Sequence, residues 1–125
     1  MKSNEYSISN SWSDVKLVCI HGHNEPIEMV IKQGPSSLFY ACPKYDMDNL
    51  IEGEKRCNNR LNLIDYTEML QHLHNMLVEA ELNDEVINLK NVSWTTKRGI
   101  FFKVLEHVGD KLVVGVENWK AIKTV

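Results

Sequence analysis

The sequence lacks the long apolar runs that would place it in a membrane. No window approaches the run of about 18 apolar residues that marks a transmembrane helix. Residues 1–12 are rich in Ser and Asn and have no apolar stretch of the kind found in a secretory leader. We therefore expect a cytoplasmic protein with no membrane partner, in a compartment where thiols stay reduced.

Cysteine is scarce, and the sequence motifs of common enzymes are missing. The chain has three cysteines, an odd number that disfavours a disulfide framework. No G-x-S-x-G, P-loop or H-E-x-x-H motif occurs. The zinc-deaminase signature P-C-x-x-C also fails, because Cys42 is followed by Pro-Lys-Tyr and has no second cysteine nearby. These absences predict a protein that is not an enzyme.

All three cysteines and two of the five histidines lie between residues 19 and 57. Thiolates and imidazoles are the preferred ligands of Zn²⁺, and three Cys with one His form a common closed structural set. The predicted zinc ligands are Cys19, His23, Cys42 and Cys57. His21 is the alternative fourth ligand, disfavoured because it lies only two positions after Cys19. The competing interpretation is three unrelated buried cysteines and two surface histidines.

A β-hairpin is predicted between the two ligand pairs. Residues 27–32 and 38–41 have the composition of strands, and Gly34-Pro35-Ser36-Ser37 has that of a turn. Fourteen residues separate Cys42 from Cys57, which is longer than the usual knuckle spacing. Residues 46–56 are polar and charged, so we expect them to form an exposed loop.

This order of parts resembles the C4 zinc ribbon in the C-terminal region of bacterial DNA topoisomerases. That family shows a CxxC turn, a hairpin, an aromatic-x-x-Cys step and a final Cys. The matching residues are Cys19, the stretch Phe39-Tyr40-Ala41-Cys42-Pro43-Lys44-Tyr45, and Cys57, within about 45 of 125 residues. Gly22 replaces the second cysteine of the turn. The segment is also similar to small zinc-ribbon proteins of Gram-positive bacteria, with Cys-Asn-Asn-Arg at residues 57–60. The resemblance implies a bacterial protein with structural zinc.

The predicted fold class is α+β, with four segments. They are a flexible tail (1–13), a zinc-ribbon-like segment (14–64), a helix (65–81) and a small antiparallel β segment (84–125). Apolar residues recur every three or four positions from Tyr66 to Ala80, which predicts an amphipathic helix with Asp65 as its N-cap. After it, residues 86–89, 92–96, 100–106 and 111–117 have the pattern of strands. They predict a meander, with an SH3-like barrel as one possible form.

The charge distribution limits the choice of partners. The net charge is −3, and residues 15–62 contain six basic and six acidic residues, so the ribbon is a poor general DNA clamp. Lys97, Arg98 and Trp94 in the β segment could contact nucleic acid by charge and stacking, or could form an ordinary solvated turn. We predict a zinc-stabilised binding module that contacts nucleic acid or a nucleic-acid enzyme. The alternatives are a protein–protein adaptor and a small metalloenzyme with an open site at Cys19, His21 and His23.

Overall fold

The computed structural model describes residues 12–23 and 25–122, and it confirms the α+β class. The elements in chain order are β1 (Asp14–Cys19), β2 (Ile27–Glu28), β3 (Val30–Gln33), β4 (Leu38–Ala41), β5 (Arg60–Asn62), α1 (Leu63–Leu82), β6 (Ser93–Thr95), β7 (Ile100–Val108), β8 (Lys111–Asn118) and α2 (Trp119–Ile122). Two 3-10 turns, Pro43–Tyr45 and Met47–Asn49, follow β4. The tail predicted for residues 1–13 lies outside the described residues, apart from Trp12, which is buried, and Ser13.

The strands form two sheets. The large sheet has the order β2-β1-β8-β7-β6 and the small sheet the order β3-β4-β5. Strands β6, β7 and β8 form the predicted antiparallel meander. All six residues of β1 pair in parallel with residues 111–116 of β8, so the first strand of the predicted ribbon is part of the large sheet. The parallel pairing joins two segments that are nearly 100 positions apart in the sequence.

The strand predicted for residues 27–32 is divided between the two sheets. Strand β2 pairs with β1, whereas β3 pairs with β4 as the predicted hairpin. Met29 lies at the division, is buried, and donates its backbone N–H to the carbonyl of Leu17 at 2.8 Å. One continuous stretch of chain therefore connects the sheets near the end of β1.

Helix α1 covers the small sheet and begins earlier than predicted. Asn62 is its N-cap, and the Asn62 side-chain oxygen accepts from the backbone N–H of Asp65 at 2.8 Å. Asp65 is therefore not the N-cap, because the amide cap three positions before it already starts the helix. The buried stripe of Met69, Leu70 and Leu73 follows the predicted periodicity.

The prediction of a strand at residues 86–89 is wrong. Val86 is fully exposed, and this stretch has no strand pairing. The backbone N–H of Leu89 donates to His107 Nδ1 at 3.1 Å, and that of Lys90 donates to Asn88 Oδ1 at 2.8 Å. Side chains thus take the donors that a strand ladder would use. Among the described residues, no helix has the length and apolar character needed to cross a membrane.

Candidate metal centre

The four predicted ligands come from four different places in the fold. Cys19 is the last residue of β1, and His23 lies in the turn that follows. Cys42 follows β4 directly, and Cys57 lies three positions before β5. Their ligand atoms all lie within 4.8 Å of one another. The structure therefore brings together residues that are up to 38 positions apart, as the sequence predicts.

The distances between these atoms suit a tetrahedral metal site. Cys19 Sγ and Cys57 Sγ are 3.7 Å apart, and Cys42 Sγ lies 3.3 Å from His23 Nε2. Two sulfurs bound to one zinc ion with bonds of about 2.3 Å would be separated by about 3.8 Å at the tetrahedral angle. A disulfide would require about 2.05 Å. All three cysteines are free.

Three of the four predicted ligand residues are buried. Cys19 and Cys42 are fully buried and Cys57 is 7% exposed, whereas His23 is half-buried. A surface cavity of about 260 Å³ lies beside His23 and gives an entry path for an ion; its lining residues are His21, Gly22, His23, Lys44, Glu54, Lys55 and Arg56. Four protein ligands would fill a tetrahedral shell, so this donor set fits a closed site.

Asn59 forms a hydrogen bond to one of the cysteine sulfurs, and the sequence analysis did not select it as a site residue. The Asn59 side chain is fully buried, and its Nδ2 donates to Cys19 Sγ at 3.0 Å and to the carbonyl of Val116 at 2.7 Å. Its Oδ1 accepts from the backbone N–H of Asn118 at 2.8 Å. Asn59 therefore links the sulfur of Cys19 to the end of β8. The sequence signal that could have pointed to Asn59 is its place in the Cys-Asn-Asn-Arg stretch at residues 57–60.

Backbone amides also point at the three sulfurs. The N–H groups of His21, Lys44 and Asn59 each donate to the cysteine two positions earlier, which favours thiolate over thiol. Hydrogen bonds from Cys19 and then Cys42 lower the pKa of Cys57 to about 2, whereas hydrogen bonds with Cys19 and then Cys57 raise the pKa of Cys42. The cluster therefore holds one thiolate readily, and the other two need a cation to ionise beside it.

His21 is not part of this cluster. Its Nδ1 lies 2.9 Å from Glu117 Oε2 on β8, and its ring is outside the group of four ligand atoms. The choice of His23 over His21 as the fourth ligand agrees with this geometry. The open site predicted as an alternative at Cys19, His21 and His23 would require the ring of His21 to leave Glu117.

Of the three side chains predicted to contact nucleic acid, Arg98 and Trp94 contact residues of α1. One guanidinium nitrogen of Arg98 is 2.6 Å from Asp65 Oδ1 and 2.6 Å from Glu68 Oε1. The Trp94 ring is stacked on His72, with centroids 4.3 Å apart, and also lies against Phe102. Lys97 is exposed and forms no ion pair with any residue in the described part of the chain. Nucleic-acid contact at this turn stays a prediction.

The metal assignment rests on this chain's own geometry. The donor set, the distances and the supporting hydrogen bonds all fit one metal ion at Cys19, His23, Cys42 and Cys57. Comparison of the chain with protein-family models, with curated proteins and with solved structures gave no match.

Proposed function

We propose that the chain is a non-enzymatic binding module whose fold is stabilised by one structural zinc ion. The observation that carries the proposal is the set of four ligand atoms within 4.8 Å, with a sulfur–sulfur distance of 3.7 Å. Three thiolates and one imidazole are soft or borderline donors, which favour zinc over the oxygen-seeking ions Ca²⁺ and Mg²⁺.

The position of the cluster explains why such an ion would stabilise the fold. Cys19 belongs to the large sheet, whereas Cys42 follows the central strand β4 of the small sheet and Cys57 precedes its edge strand β5. An ion bound to all of them fixes one sheet against the other. Four protein ligands also leave no coordination position for a reacting water molecule, which supports a structural role over a catalytic one.

The zinc content of the purified protein tests this proposal. The protein is prepared without added metal, its zinc is measured by mass spectrometry, and its melting temperature is recorded with and without a chelator. We expect one zinc per chain and a fall in Tm of more than about 10 °C on chelation, because binding of structural zinc is part of the folding free energy. Absence of zinc, or an unchanged Tm, would overturn the proposal.

Two histidine variants identify the fourth ligand. His23→Ala removes a donor to the ion, so we expect weaker zinc binding by at least about tenfold in a competition with a chromogenic chelator. His21→Ala is the matched control, because His21 pairs with Glu117 and should leave zinc affinity unchanged within about twofold. Greater loss of zinc in His21→Ala than in His23→Ala would assign the fourth ligand to His21.

A further inference from the structure

A second cavity lies on the small sheet, and none of the four predicted metal ligands lines it. A cavity of about 350 Å³ is lined by Gly34, Pro35, Ser36, Ser37, Phe39, Tyr45, Arg60, Asn62 and Asn118. Cross-strand pairing places Phe39 opposite Asn62 and Ala41 opposite Arg60, so Phe39, Asn62 and Arg60 share one face of the sheet. Leu61 points to the other face and is buried. The cavity therefore lies on the face of the small sheet opposite to Leu61.

The charged side chains that line this cavity and its neighbour are basic. Arg60 also lines an adjoining cavity of about 200 Å³, together with Asn118, Lys120 and Ala121. Arg60 and Lys120 are the charged residues in the two linings, and neither lining contains a carboxylate. Within residues 12–23 and 25–122, the side chains of Arg60 and Lys120 form no ion pair or hydrogen bond, although Arg60 is half-buried. By contrast, Arg98 is held by two carboxylates.

The neutral polar groups of the lining offer donors. The hydroxyls of Ser36 and Ser37 have no partner among the residues that the structure describes, and Asn62 uses its oxygen to cap α1, which leaves its amide nitrogen available. The side chain of Asn118 already has two partners, because it donates to the carbonyl of Arg60 and accepts from the backbone N–H of Ala121. These donors and positive charges therefore favour a ligand that is an anion with several hydrogen-bond acceptors. Phosphate, with three terminal oxygens, uses these donors better than a carboxylate with two.

Two aromatic rings complete the site. The rings of Phe39 and Tyr45 meet edge to face with centroids 6.1 Å apart, and both are half-buried. The guanidinium of Arg56 lies over Tyr45 at 4.7 Å from the ring centroid, on the adjacent loop. Exposed ring surface of this kind packs well against a planar group. The cavity volume lies in the range of about 300–1,000 Å³ that small-molecule sites occupy.

From these observations we infer that the cavity lined by Phe39, Tyr45 and Arg60 binds a small organic phosphate with a planar ring, of the nucleoside monophosphate type. The phosphate lies on the guanidinium of Arg60 and the hydroxyls of the Ser36–Ser37 turn, with Lys120 adding positive charge. The planar ring lies against Phe39 and Tyr45. This site is separate from the thiol cluster, so it goes beyond the proposed structural role of zinc.

Calorimetric titration of the zinc-loaded full chain tests the inference. The probes are adenosine monophosphate, phenyl phosphate, inorganic phosphate, adenosine and benzoate. We expect saturable binding of adenosine monophosphate, weaker binding of phenyl phosphate, and the weakest binding of the three remaining probes. Arg60→Gln should weaken adenosine monophosphate binding by about tenfold or more, because it removes a charge-assisted hydrogen bond. Lys97→Gln removes the same charge elsewhere and should change binding by less than about twofold.

Several results would overturn the inference. These are no saturable binding of any probe, tighter binding of benzoate than of either ring-bearing phosphate, and equal losses in Arg60→Gln and Lys97→Gln, which would indicate diffuse electrostatic attraction. Fold is checked separately by zinc content and Tm, so failure of this site is distinguishable from failure of the zinc proposal. If Arg60→Gln does not fold, Ser37→Ala and Lys120→Gln decide: unchanged binding in both would reject the site.

Discussion

At the scale of the residue, Asn59 connects the candidate metal site to the core. One buried amide reaches a ligand sulfur, the carbonyl of Val116 and the backbone N–H of Asn118. Among the described residues, every buried side-chain nitrogen and oxygen has a hydrogen-bond partner, so the interior has no spare donor to replace Asn59. Shortening this side chain therefore leaves polar groups without partners inside the protein.

We expect Asn59→Ala to lower the free energy of unfolding by about 2–4 kcal/mol, because it removes three hydrogen bonds and leaves buried groups unsatisfied. The measurement is urea unfolding of the zinc-loaded protein. Asn58→Ala is the matched control, since Asn58 is adjacent and only half-buried, and it should stay within about 0.5 kcal/mol of the parent. Similar losses in the two variants would show that Asn59 has no special role.

The ligands were predictable at this scale and Asn59 was not. Cys and His are common zinc ligands, so residue type alone was enough to select Cys19, His23, Cys42 and Cys57 as candidates. The role of Asn59 depends on Val116, which lies 57 positions away and touches it only after the sheets have formed. The same reason hides the pairing of His21 with Glu117.

At the scale of the element, β8 carries a glycine at the point where the side chain of Ile20 lies against it. A Cβ atom added to Gly115 would lie 2.8 Å from Ile20 Cγ2 and 3.1 Å from Ile20 Cδ1. Gly115 is buried and pairs with Val18 of β1. Ile20 follows Cys19 directly, so displacement of Ile20 would reach the first metal ligand. The glycine is needed for this close approach of side chain to strand.

Gly115→Ala should destabilise the protein by about 1–3 kcal/mol through overpacking. Thermal or urea unfolding of the zinc-loaded form measures this loss. The double variant Gly115→Ala with Ile20→Ala provides the control, because removal of the Ile20 branches relieves the contact. We expect the double variant to be more stable than the sum of the two single losses predicts. Strict additivity would mean that Ile20 is not the group that meets the new methyl.

The contact between α1 and β4 predicts a pH dependence. The rings of Tyr66 and Tyr40 have centroids 5.1 Å apart. Burial, with a smaller contribution from Tyr40, raises the pKa of Tyr66 from 10.0 to about 12. The folded state therefore holds this proton more tightly than the unfolded chain. The resulting stability is fully present below pH 10 and is lost as the pH rises from 10 to about 12.

Absorbance at 295 nm and melting curves between pH 9 and pH 12 test this dependence. We expect one tyrosine to ionise late, and Tyr66→Phe to remove that late ionisation and to flatten the alkaline decline in Tm. The matched control is Tyr45→Phe, because Tyr45 lies on the loop beside Phe39 and not under the helix. A late titration that survives in Tyr66→Phe would assign the shifted pKa to another residue.

Local elements were therefore easier to predict than their arrangement. The β3–β4 hairpin, the stripe of α1 and the β7–β8 hairpin follow from short-range patterns, and each lies within a few residues of its predicted position. The start of α1 was misplaced because Asn62 and Asp65 are both good N-caps. The parallel pairing of β1 with β8 has no local signal, since any of several strands could have flanked β8.

At the scale of the whole molecule, the proposed zinc ion joins two sheets that differ in how far each can be stable through its own packing. The large sheet has its own buried residues, including Phe102, Val104 and Val114. The small sheet has three short strands, packs against α1, and has Cys42 and Cys57 next to two of its strands. A three-stranded sheet of this size needs such packing to be stable.

We expect chelation to loosen the small sheet first. Hydrogen exchange followed by mass spectrometry should show a larger loss of protection in residues 30–33, 38–41 and 60–62 than in residues 100–118, because metal removal breaks the link on which the small sheet depends. Zinc added back provides the control and should restore protection. A uniform loss over both sheets would show that the fold opens as one unit.

The parallel pairing of β1 with β8 also sets an order of events during synthesis. The four predicted ligands lie at residues 19–57 and are synthesised before the strand that supports Cys19, because β8 spans Lys111–Asn118. A nascent chain could thus capture the ion while Asn59 still lacks Val116. Pairings so distant in sequence are formed late and slowly. The support that Asn59 gives to the proposed centre is therefore completed only when β8 joins the sheet.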